Sequence, residues 1–281
     1  MKKYSIGDFA RHLGVTPDFL KYYETKGVLK PQVNESGYRY YHFWERGQVL
    51  ECLKLRNCGF SSREVVDLLN AASLEEYLAK LRPRQKLLQE QLKHMQAQMG
   101  AFDFLDRIAP YFDSESNWEI SNEESFYFLP HSTFDRFIDS REIDEAMKSW
   151  LDWMPVVRST ISYPCIGAAG TPAREPMLGF AVPAVFAREY GLYLETPVEF
   201  VEAQRWLIIY LKDESSRPRE QETDDSHTAQ SRRRQRVDIA QNIMDRHMLR
   251  PRESNYYITK LLQLRENDTQ TNYSIMQIPI Y

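Results

Sequence analysis

Thr16, Asp18, Phe19, Lys21, Tyr22 and Tyr23 lie close together in the chain, and Tyr38-Arg39-Tyr40-Tyr41 follows after a turn. Side chains of these types in this pattern suit the holding of a polyanion. Arg39 can donate a charge-assisted, potentially bidentate pair to a phosphate, and the hydroxyls of Tyr40 and Tyr41 can fix register on a sugar-phosphate backbone. Asp18, Lys21 and Tyr22 would face a duplex groove if the segment that carries them is a helix entering it.

The flanking residues supply that helix and a partner for it. Ser5 is placed to cap a helix over IGDFARHL, with Asp8 three residues on, and Gly14 stops it in a left-handed conformation. Thr16 caps a second helix, Pro17 takes its first position, and Gly27 ends it. Two helices joined by the short link LGVT have the spacing of a helix-turn-helix whose second helix enters the major groove. Asn34-Glu35-Ser36-Gly37 then forms a turn, and Tyr38–Tyr41 alternates as the strand of a basic, aromatic hairpin. A small helical core that merely exposes tyrosines is the plain alternative.

The run Ile6-Gly7, Gly14-Val15, Leu20-Lys21-Tyr22-Tyr23-Glu24, Gly27-Val28-Leu29, Pro31 and Gly37-Tyr38-Arg39-Tyr40-Tyr41 resembles the N-terminal domain of the MerR family of transcription regulators. The resemblance continues through residues 43–69. It implies a winged helix-turn-helix over residues 1–75, with Arg63 in a second wing within reach of a phosphate. Lys21 stands where the family usually carries Arg, which keeps the charge but loses the fork geometry. Phe19 replaces a small or polar residue and alters base readout.

The whole chain has 281 residues and a formal charge of −4. Residues 1–60 nevertheless hold ten Lys and Arg against six Asp and Glu, a surplus of four. A local basic footprint on an acidic chain suits phosphate binding at one end. No apolar run reaches the ~18 residues of a membrane span, and Met1-Lys2-Lys3-Tyr4 opens no signal-peptide pattern, so a cytoplasmic location without membrane partners is expected. Cys52, Cys58 and Cys165 lack metal or redox spacing, and His12, His42, His94, His131, His227 and His247 are scattered. No metal and no cofactor is expected.

Residues 43–56 repeat apolar positions at Phe43, Val49, Leu50, Leu53 and Leu55 and predict a helix with one buried face. Ser61 with Glu64 predicts a capping box and a helix to about Asn70. Within a connector over 76–112, a helix from Pro83 to Ile108 places Leu88, Leu92, Met95, Met99 and Phe102 on an a/d seam. Packing inside its own domain would cover that stripe; a coiled coil between two copies would cover it and match a pseudo-palindromic DNA site. Gly100 and Asp106 weaken the pairing toward its end.

Residues 118–281 read as α+β. Strands are expected at 124–130, 161–170 paired with 179–188, 198–202 paired with 205–212, 256–264 and 273–280, with helices at 133–154 and 237–249. This order suggests a duplicated β-α-β-β unit around an antiparallel sheet. Residues 213–236, rich in both charges, read as a solvated loop with Arg232-Arg233-Arg234 opening the next helix.

The layout, with local patterns such as Tyr163-Pro164 and Gly167, resembles the GyrI-like effector domain of the multidrug-sensing MerR branch. That resemblance implies a pocket for a small apolar or aromatic inducer, with Tyr127, Tyr163, Phe180, Trp206, Tyr256 and Tyr257 as candidate walls. Relatives of that kind often place a glutamate after the penultimate-strand tyrosine; here Tyr257 is followed by Ile258, so Glu199 or Glu202 is the substitute acid. The expected function is a dimeric, ligand-responsive regulator, an activator by resemblance, which distorts promoter DNA and so acts on RNA polymerase indirectly. It is not expected to be an enzyme. The alternative is an effector domain acting as a small-molecule hydrolase beside an autoregulatory DNA reader.

Overall fold

The structure is a computed structural model; it describes all residues except Met1, Ser36, 165–174, Ala203, 216–225, 253–254 and 267–268. It forms two compact units, residues 1–93 and 94–281.

In the first unit, β1 (Lys3–Ser5) leads into α1 (Ile6–Leu13) and α2 (Pro17–Thr25). The Ser5 side chain accepts from the Asp8 N–H and Gly14 closes α1 with φ 68°. Thr16 Oγ1 accepts from the Phe19 N–H at 3.1 Å to start α2. β2 (Gln32–Val33) and β3 (Arg39–His42) form a hairpin, and β1 pairs with the other side of β3. The turn is held by Asn34, whose side chain accepts from the Tyr38 N–H at 2.8 Å. After a short 3-10 turn come α3 (Arg46–Asn57) and α4 (Ser62–Leu69), the latter opened by a reciprocal Ser61–Glu64 capping box. Phe9, Leu20, Tyr23, Leu29, Tyr41, Val49, Leu55 and Val65 close one core. Each large apolar side chain buried there contributes ~1.5–3 kcal/mol. Two members of the expected third-helix stripe fall outside it: Leu50 and Phe43 are exposed, and Cys52 is buried instead. Phe43 lies in the 3-10 turn, where the 3.6 period no longer applies.

α5 (Leu74–Ile108) starts well before Pro83, which lies inside it. The overlooked signal is Ser73, whose hydroxyl accepts from the Glu76 N–H at 3.1 Å while the Glu76 carboxylate accepts from the Ala72 N–H at 2.9 Å. Lys80 donates to the Asp67 carbonyl at 2.9 Å and Arg84 to the Cys58 carbonyl at 2.7 Å, binding α5 to α3 and α4. Arg84 lies where a Cβ on Gly59 would be, and Gly59 has φ 84°.

Among the described residues, the second unit is built on one antiparallel sheet of eight strands. β4 (Trp118–Glu123) and β5 (Phe126–Ser132) precede α6 (Arg141–Leu151); β6 (Arg158–Tyr163), β7 (Met177–Pro183), α7 (Ala184–Glu189) and β8 (Glu199–Val201) follow. β9 (Gln204–Ser215), α8 (Ser226–Arg246), β10 (Tyr256–Glu266) and β11 (Thr269–Pro279) complete it. The strand order is β4-β9-β11-β10-β6-β7-β5-β8. Its inner six strands mirror each other: β5-α6-β6-β7 pairs as β5-β7-β6, and β9-α8-β10-β11 pairs as β9-β11-β10. β6 and β10 join the halves through four residue pairs, Tyr163↔Tyr256 to Thr160↔Thr259.

Side chains alternate across the sheet. One face carries Leu129 and Val182 under Ile143, Ala146 and Trp150 of α6, and Leu207, Ile209, Tyr256 and Met276 under Ala240 and Met244 of α8. The other carries Phe126, Phe128, Trp206, Ile208, Tyr210, Tyr257 and Ile275.

Several expected boundaries are corrected. α6 covers only the middle of 133–154, because residues 132–138 double back, with the Ile138 N–H donating to the His131 carbonyl at 2.9 Å. The strand expected over 179–188 ends at Pro183 and turns into α7; an apolar run of that length suits either state. β8 and β9 do not pair: β8 joins β5, and β9 lies between β4 and β11. Strand β4 falls in a segment for which the sequence pattern predicts no element. α8 begins at Ser226, inside the stretch read as a loop, because polar SHTAQSRRRQR has helix-forming residues but no apolar face to announce it. Of the segment 161–170, the part from Cys165 onward lies outside the described residues.

Candidate functional site

α2 and the β2–β3 hairpin carry the DNA-contact candidates, and the structure divides them into surface and core. Asp18 and Lys21 are exposed and paired with each other at 3.1 Å. Tyr22 is half-buried beside Lys26, whose Nζ lies 5.8 Å from its ring. Tyr40 donates its hydroxyl to Gln32 at 2.8 Å, and Lys3 sits over its ring at 4.2 Å. Arg39 is half-exposed, and its Nε pairs with Glu24 at 2.9 Å. Arg63 is exposed at the start of α4.

Other candidates serve the scaffold. Tyr23 and Tyr41 are fully buried, so neither can contact a duplex. Phe19 is half-buried against Tyr23, 4.8 Å between rings, and Thr16 uses its side-chain oxygen on the α2 cap. The Tyr41 hydroxyl donates to Glu24, and burial pushes its ionisation well above the ordinary tyrosine range. Alternation along β3 sends Tyr40 outward and Tyr41 inward, a sorting that the strand period allowed. Glu24 was visible in the sequence but had no assigned role; the missing information was a contact 17 residues away.

The seam residues Leu88, Leu92, Met95, Met99 and Phe102 of α5 are all exposed, from 43 to 63%.

In the second unit a cavity of about 890 Å³ lies on the sheet face opposite α6 and α8. It is lined by the end of α5 and by strand residues including Phe126, Ile208, Tyr210 and Ile275. Glu119, on β4, accepts hydroxyl hydrogen bonds from Tyr210 at 2.5 Å and Tyr111 at 3.4 Å, and those two rings stack at 4.6 Å. Arg158 lies over the Phe104 ring at 3.9 Å.

None of the seven ligand candidates lines this cavity. Tyr163 and Tyr256 stack on each other at 5.0 Å on the face beneath α8. Tyr127 and Phe180 pack with the α6 cluster. Trp206 and Tyr257 are on the cavity's side of the sheet but buried among Phe126 and Phe128. Glu199 is exposed on the edge strand β8, and the substitute Glu202 is exposed beside it. Cavity residues Glu119 and Tyr111 come from an edge strand and a 3-10 turn that carry no apolar period in the sequence to mark them.

Cys52 is buried and Cys58 exposed, while Cys165 lies outside the described residues. Among the described residues no group of three or more His, Cys, Asp or Glu could hold a metal ion, and no helix is long and apolar enough to cross a membrane.

The geometry of the first unit can be set beside known proteins. The family model "MerR HTH family regulatory protein" matches residues 4–72. Those residues are a MerR-type helix-turn-helix domain. An uncharacterized HTH-type transcriptional regulator of Synechocystis sp. is 36% identical over 70 residues, which is 25% of this chain and 51% of that protein. The chain thus spans about half the length of this curated relative. Among solved structures, an EcmrR–DNA complex is similar over 99% of both chains at 13% identity and a TM-score of 0.32. A hydrolase from Listeria innocua is similar over 63% of this chain and 98% of its own, at 10% identity and a TM-score of 0.35. TM-scores this low carry no argument about shared architecture or activity, so the MerR-type assignment stays with residues 4–72.

Proposed function

We propose that this chain is a dimeric, ligand-responsive transcription regulator that binds promoter DNA through a winged helix-turn-helix. The observation that carries the reading is the MerR-type domain over residues 4–72, with α2 and the Arg39 hairpin on its surface. α2 enters the major groove with Asp18, Lys21 and Tyr22; the hairpin is the wing, with Arg39 and Tyr40 on the backbone, and Arg63 reaches a phosphate from a second wing. The exposed α5 seam supports a coiled coil between two copies, and a two-fold protein matches a pseudo-palindromic site. Such a dimer activates by twisting and bending the promoter, which brings its elements into register for RNA polymerase.

The second unit is the sensor, a GyrI-like effector domain in this reading, and the cavity supports that role better than the aromatics named from sequence. Its walls offer apolar surface and stacked tyrosines for an aromatic inducer, and Glu119 is the acid nearest to them. Binding there biases the dimer between two arrangements.

Selection of genomic fragments by the purified chain, followed by footprinting, tests the DNA reading; a symmetric footprint is expected, and no enrichment overturns it. Sedimentation of a Leu92→Glu/Met95→Glu variant checks the dimer, which should dissociate. Tryptophan quenching by planar compounds checks the sensor: saturable binding should weaken with Tyr111→Ala and survive Tyr163→Phe.

A further inference from the structure

Glu24 stands on the last turn of α2 with its side chain only 10% exposed. Its two oxygens go to two residues of the hairpin strand. Oε2 pairs with Arg39 Nε at 2.9 Å, and Oε1 accepts from the Tyr41 hydroxyl. Tyr41 in turn is fully buried and stacks on Phe9 of α1 at 4.7 Å and 7°. One shielded carboxylate therefore ties α2 to β3, while the ring beside it ties β3 to α1.

We propose that Glu24 is a positioning residue of the DNA interface: it holds Arg39 by Nε and aims the terminal guanidinium nitrogens at a phosphate. The inference rests on the DNA-binding reading above. A guanidinium has five N–H donors in a rigid plane, so fixing Nε orients the other four. An arginine already held has less rotamer freedom to lose when it meets DNA. Its side chain is 53% exposed, so the opposite end of the fork is accessible.

Charge alone makes the contrary forecast. A carboxylate beside Arg39 lowers the local positive potential, so removing it should strengthen attraction to a polyanion. The two effects have opposite signs, and one substitution separates them.

Glu24→Gln keeps the side-chain size and an acceptor for Tyr41 while removing the charge. Binding of the full chain to a fluorescein-labelled, mixed-sequence duplex is followed by anisotropy across a salt series. The positioning role predicts an affinity about three- to tenfold weaker despite the extra net positive charge. Equal or tighter binding overturns it. Arg39→Lys keeps the charge but has no Nε fork, so it should lose affinity with an unchanged salt slope, and Glu24→Gln should cost nothing more in that background. Fully additive losses overturn the proposal. Circular dichroism checks that each variant is folded; should Glu24→Gln not fold, the lysine variant alone decides, and its binding as tightly as the wild type overturns the proposal. A wild-type chain that binds no duplex removes the DNA-binding reading, and this inference with it.

Discussion

The working groups of the two units are held at very different sequence ranges. In the first unit, Ser5–Asp8, Thr16–Phe19 and Ser61–Glu64 bonds all span three residues. In the second unit, Tyr210 reaches Glu119 across 91 residues, Asn117 reaches the Tyr210 carbonyl across 93, and Thr160 meets Thr259 across 99. The helices of the first unit are started by caps that each short segment carries with it. The cavity exists only once the whole sheet has formed. Local caps make small, separable contributions, whereas a residue in the sheet supports several strands at once.

That difference gives an ordered set of expectations. The largest effect should come from Trp206→Ala, because Trp206 is fully buried between Phe126 and Tyr257; a loss of ~3–5 kcal/mol is expected in urea unfolding followed by circular dichroism. A loss below 1 kcal/mol, on the order of a surface change, would break the comparison. Thr160→Val comes next. It strands the buried Thr259 hydroxyl, so about 1–3 kcal/mol should be lost, and adding Thr259→Val should restore most of it. Failure of the double variant to recover would show that the pair matters for shape and not for the hydrogen bond. Thr16→Ala in the first unit should cost only ~1 kcal/mol, the usual value of one N-cap.

The last effect is a pH dependence, absent at neutral pH. Burial pushes the Cys52 thiol up to about 11 from an ordinary value near 9.0, and burial, then Glu199, pushes Tyr257 up to about 12 from 10.0. Both groups are neutral when protonated, and both folded values are raised. Their stabilising contribution is therefore complete below the ordinary values and lost as pH rises through the raised ones. Stability should fall first from about pH 9 on account of Cys52 in the first unit, and only above 10 on account of Tyr257 in the second. Thiol titration sharpens the test: exposed Cys58 should react at neutral pH, and Cys52 only after unfolding.

The same contrast explains what could be read in advance. Caps at Ser5, Thr16 and Ser61 and the left-handed Gly14 are signals within one turn of chain, and the helices start and stop where those residues say. The alternation that makes Tyr40 half-exposed and buries Tyr41 was equally local, but its phase is set by Glu24 and Phe9, which the strand itself does not reveal. In the second unit the strands at β5, β10 and β11 announced themselves by apolar runs. Their order did not, so the strand runs alone do not show that Tyr163 and Tyr256 face α8 and not the cavity. Glu119 gave no signal, because β4 is an edge strand of mixed polarity whose role depends on β9 beside it.

The four-pair joint between β6 and β10 has one more consequence. β9 and β11, within one half, share ten pairs from Gln270↔Ser215 to Pro279↔Trp206. Each mirrored half is thus more completely bonded inside itself than to its twin. Severed at the joint, either half would bare a fresh row of backbone donors and acceptors on β6 or β10. The complement nearest in shape would be another copy of the same half, so a gene cut between the repeats would encode fragments prone to pair with themselves.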